Sequence, residues 1–566
     1  MRYVFFGIRL AFCLLSFVLV GQDPQFVDVS DQAGTGNGSS NNGAVIGDFN
    51  GDGWEDIFVP ARLDSSRIFL NNSDGTFSDV SSDAGIQQEG LTMTAAWGDI
   101  DNDGDLDLFV GNYYTAGSPF QNYLYLNDGS GQFSDISLSA GVGTNDQTRS
   151  VHLLDVDLDG YLDIYVCNLA QQNILWHNNG DLTFSDHTIS SGLLDTQISM
   201  GAIFFDYDND GDQDIYLTHD ANQAYIMYEN DGTGVFTDVS QVTGLDVAGQ
   251  GMGVDHGDIN NDGHLDIYVT NLGPNFLLLN DGNGSYSEIA MAAGVADVGM
   301  GWGCFFLDYD NDGWEDIYVI NDSNFSPVSN KLYKNNGDNT FTLVSESSPL
   351  FSFNGGIGGT WADINNDGFQ DIIVANGEND IGLQIFENQN NQNNWIGFNL
   401  NGTMGSSDAF GTRIQITTET GVKIDEKTGG SSYASQSSHR IYFGLGEGIA
   451  EDISIFWPNG TVDFFESMDI NQIHSLNEGQ SPVGLDEINF DLSLYHNPFV
   501  DELRIHSSLN RGTLEIFDLL GKRIFFGNIE SSLHVFDLSH LDVRGQFILR
   551  ISDLEGNVTS ESVIKR

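Results

Sequence analysis

The chain has 566 residues, with 82 Asp and Glu against 19 Lys and Arg, a formal net charge of −63. That surplus of negative charge excludes nucleic acid and anionic membrane surfaces as partners, because both would repel it. The length allows several domains, and three cysteines are too few for a disulfide framework.

Residues 1–21 read as a secretory signal peptide: Arg2 and Arg9 lead into the apolar run 10–20, which is too short to span a bilayer. Cys13 lies inside that run rather than at its end, which argues against a lipoprotein anchor. Cys167 and Cys304 fall in strand-like sequence of non-adjacent repeats and are expected as small core residues. No later stretch is long and apolar enough for a transmembrane segment.

Between residues 26 and 390 a nine-residue pattern occurs seven times, at a spacing of 50 to 56 residues. A period of that size marks a repeat architecture. Positions one, three, five and nine carry Asp48, Asn50, Asp52 and Asp56 in loop one, and Asp99, Asp101, Asp103 and Asp107 in loop two. Loop three has Asp155, Asp157, Asp159 and Asp163, and loop four has Asp206, Asp208, Asp210 and Asp214. Loop five has Asp258, Asn260, Asp262 and Asp266, loop six Asp308, Asp310, Asp312 and Asp316, and loop seven Asp363, Asn365, Asp367 and Asp371. Position six is always glycine, as a chain curling its oxygens around one ion requires. Position seven varies freely, which suits use of its backbone carbonyl alone. These hard oxygen donors point to calcium in about seven structural sites, rather than to magnesium, which demands a stricter octahedron.

An EF-hand opens in the same way, but its twelfth residue is Glu and helices flank it. Here position twelve is Val or Leu, and runs such as Asp107-Leu-Phe-Val110 are strand-forming. An acidic turn that binds nothing is the alternative for one copy; seven copies in one register weigh against it. Each repeat also holds a hairpin such as residues 67–80, two strands about an Asp-Gly turn, which makes one repeat a four-stranded antiparallel sheet. The strand Phe-x-Asp-Val-Ser is missing from the seventh repeat, while an unmatched copy, Phe26-Val-Asp-Val-Ser30, precedes the first loop. The N-terminal strand is therefore expected to complete the seventh sheet and close a seven-bladed β-propeller.

Small residues (Gly43, Thr94, Ser150, Gly201, Gly253, Gly303, Gly358) stand five positions before each loop, as crowding at a propeller axis requires. One position earlier stand Asn42, Met93, Arg149, Met200, Met252, Trp302 and Ile357, expected at the far mouth of the axial channel. This ring either caps the channel or receives a ligand, with Arg149 and Trp302 as the ligand-binding pair: an aromatic face suits a sugar ring, and a lone cation suits a carboxylate.

The loops and their period resemble FG-GAP/VCBS repeats, the family that includes the integrin α-subunit propeller. The resemblance covers residues 26–390 and implies calcium-stabilised blades and extracellular binding roles. From 393 to 480 the motifs Ala409-Phe-Gly-Thr-Arg413, Gly430-Ser-Ser-Tyr-Ala-Ser-Gln436, Phe443-Gly-Leu-Gly446, Trp457-Pro-Asn-Gly460 and Asn477-Glu-Gly479 are similar to the ASPIC/UnbV domain, in the arrangement of cartilage acidic protein-like chains and their bacterial relatives. Tyr433, Gln436 and Arg440 within it either face a ligand or hold a turn between strands.

A linker, 481–489, leads to residues 490–566. There Leu514-Glu-Ile-Phe-Asp-Leu-Leu-Gly-Lys522, Gly545-Gln-Phe-Ile-Leu-Arg550 and Val563-Ile-Lys-Arg566 resemble a type IX secretion sorting domain, an Ig-like β-sandwich; His496 and Arg544 depart from the family pattern of Pro and Ser. The resemblance implies the type IX secretion machinery as a partner, removal of this domain near 480–490, and a secreted or outer-surface location in a Gram-negative bacterium.

No nucleophile elbow, phosphate loop or zinc-type histidine cluster is present, and His152 and His256 read as packed imidazoles. Acidic residues abound, but no carboxylate pair can be singled out for glycoside chemistry. Two readings stay open: a secreted binding or adhesion module for polysaccharide or an extracellular protein, and a carbohydrate-active enzyme, a propeller lyase or hydrolase, whose catalytic residues are not placed.

Overall fold

The computed structural model describes residues 25–480, apart from 37–39, 63–64, 87–90, 114–120, 378–380, 391 and 419–420, and the strands between 492 and 565. The expected signal peptide, the 481–489 linker and residues 496 and 544 lie outside the described residues.

The chain is all-β. Its first 388 residues supply seven four-stranded antiparallel sheets in the arrangement of a β-propeller. In each, the innermost strand enters a loop of the acidic pattern, the second strand leaves it, and the two outer strands form the hairpin; the second sheet runs Thr92–Gly98, Asp107–Asn112, Tyr123–Asn127 and Phe133–Asp135. The seventh sheet is composite. Phe26–Asp28 pairs antiparallel with Leu383–Asn388, so the first strand of the chain is the outermost strand of the last sheet.

The Phe-x-Asp-Val-Ser motif explains itself locally. Asp79 accepts the N–H of Ser81, and the Ser81 hydroxyl accepts the N–H of Ile68 on the neighbouring strand. Asp28 and Ser30 repeat the device against Ile385, which fixes the register of the closing strand.

Apolar clusters lie between consecutive sheets rather than within them. One joins Val45, Phe58 and Ile68 of the first sheet to Trp97, Leu108 and Phe133 of the second. A single twisted sheet cannot bury both its faces, so each becomes stable only against its neighbours. At the axis the chains approach so closely that a side chain on Gly358 would meet the carbonyl of Asn42, and one on Gly253 the carbonyl of Trp302. Cys167 and Cys304 are buried free thiols, and burial pushes the Cys167 thiol up to about 12.

Residues 394–477 form two further sheets around their own core. Asn394–Asn401 pairs with Ile441–Gly446 and, in parallel, with Ile473–Asn477; Arg413–Thr418 is central in the other, four-stranded sheet. The C-terminal strands make a three-stranded and a four-stranded sheet, whose Leu503 and Phe536 share one cluster with Leu514, Ile516 and Leu549. No described helix is long and apolar enough to cross a membrane.

Candidate metal centres

In each loop the hydrogen bonds orient the carboxylates from within. In loop two Asp99 accepts the N–H groups of Asp103 and Gly104 at 3.1 and 2.8 Å, and Asp103 accepts that of Asp105 at 3.0 Å. Asp107 accepts the N–H of Ile100 at 3.1 Å and that of Asn127 at 2.8 Å. Gly104 makes the turn at φ +96°, a region that side chains avoid.

The bonded oxygens keep lone pairs aimed inward, and position three adds oxygens with no protein partner. Asp101, Asp157, Asp208 and Asp310 each bury an Oδ1 that accepts no hydrogen bond. Donor atoms of Asp99, Asp101 and Asp107 lie within 4.8 Å of one another, as do those of Asp155, Asp157 and Asp159, of Asp206, Asp208 and Asp210, and of Asp308, Asp310 and Asp316. In the loops with Asn at position three, the amides of Asn50, Asn260 and Asn365 donate instead to Asp52, Asp262 and Asp367.

Burial, with repulsion between the carboxylates adding to it, pushes Asp56 and Asp107 up to about 8 and Asp155, Asp258 and Asp363 up to about 7. A buried cluster of like charges of this kind is stable when a cation or protons neutralise it. The donor set fits a hard divalent ion, calcium first.

Sequence reading missed a second tier of residues, the asparagines on the third strand of each sheet: Asn71, Asn127, Asn178, Asn230, Asn280, Asn335 and Asn388. Each gives its backbone N–H to the position-nine Asp of its own sheet, at 2.7 or 2.8 Å. In six of them the side-chain amide reaches a carbonyl at position two of the preceding loop, as Asn127 reaches Phe49 at 2.8 Å. Asn280 turns instead to the Tyr286 hydroxyl. The signal was present: an Asn recurs immediately before each of the six hairpin turns and again at the end of Leu383–Asn388.

Position four links neighbouring loops. Asn102, Asn261, Asn311 and Asn366 hold left-handed backbones and donate to the carbonyls of Gly160, Gly313, Gly368 and Gly53 in the next loop.

The domain of residues 394–477 sits on this loop face. Ser407 donates to Asp99 at 2.5 Å, Arg413 to the Asp206 carbonyl at 2.8 Å, Lys423 to the Gly313 carbonyl, and Tyr442 to Asp363 at 3.1 Å. Arg440 bridges loops seven and one, donating to Asn366 at 2.6 Å and to the Gly53 carbonyl at 2.8 Å.

Residues 429–436 enter the axial channel. Backbone bonds join Ser432 to Val254 and Gln436 to Ala44 and Ile46, while the Gln436 side chain bonds both backbone groups of Trp97. Tyr433 and Ala434 pack against Met200, Met252 and Met300. Tyr433, Gln436 and Arg440 thus engage the propeller itself. Of the two imidazoles noted from sequence, His152 contacts the Gly430 carbonyl at 3.3 Å, and burial holds both it and His256 down near 4, in the neutral form.

Trp302 is half-buried with its ring 4.8 Å from that of Tyr433, and its indole N–H has no hydrogen-bond partner. Arg149 is half-buried with its guanidinium 5.0 Å from the Tyr113 ring, and its Nε is likewise unpaired. The two lie in the first strands of different sheets, on the side of the ring away from the loops.

A family model described as FG-GAP-like repeat matches residues 48–110, 112–166, 155–217, 206–269, 258–319 and 308–374. A model described as ASPIC and UnbV matches 402–483, and one described as Secretion system C-terminal sorting domain matches 493–565. Cartilage acidic protein 1 of Xenopus tropicalis is 25% identical over 423 residues, 69% of this chain and 64% of that protein. The protein of that name from Homo sapiens is 26% identical over 446 residues, 74% of this chain and 60% of that one. The chain therefore spans less than two thirds of the length of these relatives. Among solved structures, an Agrocybe aegerita lectin described as recognising non-reducing terminal N-acetylglucosamine aligns with a TM-score of 0.35 and 20% identity, over 54% of this chain and 81% of that one.

Proposed function

This chain belongs to the FG-GAP-like repeat family, and we propose that it is a calcium-stabilised binding protein whose ligand surface lies on the face away from the metal loops. Its sorting domain makes it cargo of the type IX secretion system, secreted or held at the cell surface of a bacterium.

One observation carries the placement of the ligand surface. The loop face is occupied by the chain's own ASPIC and UnbV segment, through Ser407, Arg413, Lys423, Arg440 and Tyr442. Ions held in the loops then serve the fold and the docking of that segment, and the opposite face is left for a partner. There the strand Asp316–Asn321 runs out of loop six towards Phe325, which is 67% exposed, and Phe353, before the next inner strand, is 52% exposed. The same end carries Trp302 and Arg149. Aromatic faces suit sugar rings, and an isolated guanidinium on an acidic protein suits a uronate or another carboxylate.

The partner class that fits is an acidic polysaccharide or a surface protein presenting carboxylates. Arg149→Ala and Trp302→Ala are expected to abolish retention on an acidic glycan array while leaving the calcium-dependent melting temperature nearly unchanged. Retention that survives both substitutions would overturn the placement.

A further inference from the structure

The residue immediately before each third-strand asparagine differs from sheet to sheet: Leu70, Leu126, His177, Glu229, Leu279, Lys334 and Glu387. It is half-buried in every sheet, and where it is charged or an imidazole it lies beside the loop of its own sheet. Lys334 shows the register, pairing with Asp310 and Asp312 at positions three and five of loop six. In three repeats the position is an inert leucine packed against the apolar clusters between sheets, in two it is an added carboxylate and in one an ammonium. Loop three alone faces a nitrogen that ligates metals.

In loop three His177 Nδ1 lies 3.1 Å from Asp163 Oδ1 and 3.7 Å from Asp157 Oδ2, with Nε2 4.0 Å from Asp159 Oδ2. Donor atoms of Asp157, Asp163 and His177 lie within 4.8 Å of one another. Asp157 Oδ1 is buried without a hydrogen-bond partner. The His187 ring stacks on His177 at 4.4 Å with 12° between planes, which holds the imidazole over the loop. The loop also differs at position four, where Leu158 takes, at φ 57°, the left-handed backbone that Asn takes in five loops and Gly51 in loop one. Loop three, like loop one, therefore lacks the amide link to a glycine carbonyl that loops two, five, six and seven make to their neighbour.

Calcium takes oxygen ligands, whereas imidazole suits the borderline first-row ions such as zinc and cobalt. We propose that loop three is a mixed nitrogen and oxygen site for a divalent transition-metal ion, held by His177, Asp157 and Asp163. This rests on reading the loops as cation sites, and it makes one of them selective.

The test is a Co2+ titration of the full chain in excess calcium, followed by visible absorption and by metal analysis after dialysis. One Co2+ per chain is expected to resist displacement by calcium and to show a nitrogen-shifted band. His177→Leu, which installs the side chain that three other repeats carry, is expected to weaken that ion by more than the about 10–100-fold that losing an outer-shell partner costs. Its calcium stoichiometry at the other loops and its calcium-dependent melting should persist. Equal Co2+ retention in the wild type and His177→Leu, or complete displacement by calcium, would overturn the proposal. Loss of all calcium binding would overturn the reading of the loops instead. Pulsed electron paramagnetic resonance of Mn2+ bound to the wild type gives an answer independent of any variant: coupling to a ligated nitrogen is expected, and its absence would refute a His177 ligand.

Discussion

The side-chain amide of Asn71 donates to the carbonyl of Ile364 at 3.0 Å, so that the first sheet grips the seventh loop across the seam of the ring. The same amide also bonds the Glu55 carbonyl at 3.1 Å. Asn71→Ala strands two buried carbonyls, a cost of about 1–3 kcal/mol each at most. The expected outcome is a melting temperature several degrees lower, with a smaller shift for Asn280→Ala, whose amide stays within its own sheet. Equal shifts would show that the bond across the seam adds nothing to stability.

Calcium removal is expected to loosen the propeller. Position-three carboxylates, each with a buried oxygen that accepts no hydrogen bond and set among other buried acids, oppose closure until a cation neutralises them. Chelation should lower the melting temperature by many degrees, and added calcium should restore it. Asp103→Ala damages one site in a ring of repeats and should give a partial loss. An unchanged melting curve in excess chelator would refute a structural role for the ion.

The same carboxylates set a pH dependence. Burial holds Asp155, Asp258 and Asp363 near 7 and Asp56 and Asp107 near 8 in the metal-free fold, above an ordinary value of 3.8. Between those values the folded chain binds more protons than the unfolded chain, so metal-free stability falls as pH rises from about 4 to about 8 and levels off beyond. Chelated protein should melt higher at about pH 5 than at about pH 8, and saturating calcium should reverse the order because ion and proton compete for one site. Calcium added near neutral pH should release protons, measurable with an indicator dye.

Loop six carries its own cation. Lys334 reaches Asp310 and Asp312; burial works against its charge, but the two carboxylates outweigh that and hold its proton firmly. Calcium must displace that ammonium, so loop six should be the weakest of the oxygen-only sites. Lys334→Leu copies loops one, two and five, and equilibrium dialysis should then show one more tight calcium per chain. An unchanged binding isotherm would mean that Lys334 swings clear at no cost.

Arg440 fastens the second domain to the loop face beside Glu55, which is 3% exposed. Removing Arg440 takes a nearby cation from the buried Glu55 and a charged donor from the Gly53 carbonyl, a cost of about 1–3 kcal/mol. Arg440→Ala is expected to split a common calorimetric transition into two, as the domain of residues 394–477 releases before the propeller melts. A single transition at the wild-type temperature would show that the segment in the channel is sufficient to hold it.

The loops were legible because all their acidic residues fall within nine consecutive positions, and a local hydrogen-bond pattern such as Asp99 to Asp103 and Gly104 needs no distant partner. Ring closure was legible for a related reason: the unmatched Phe26–Asp28 strand and the incomplete seventh repeat are complementary in any register-preserving sheet. The expectation that small residues crowd the axis was met at Gly253 and Gly358.

The contacts that couple one loop to another are of a different kind. Asn71 and Ile364 are 293 residues apart, and nothing in either neighbourhood encodes the pairing. That His177 and Lys334 look into their loops follows from the pairing of the second and third strands, not from any spacing in the chain. Most of all, sequence could describe Tyr433, Gln436 and Arg440 only as ligand-facing or turn-forming. Their partners, Trp302, Trp97 and Gly53, are brought to one axis only once seven sheets have closed around it. The sequence by itself determined the repeats and the chemistry of each loop, because that chemistry is local. Tertiary structure decided that His177 and Lys334 meet their loops and which face the second domain covers, because those are contacts between surfaces that the chain assembles last.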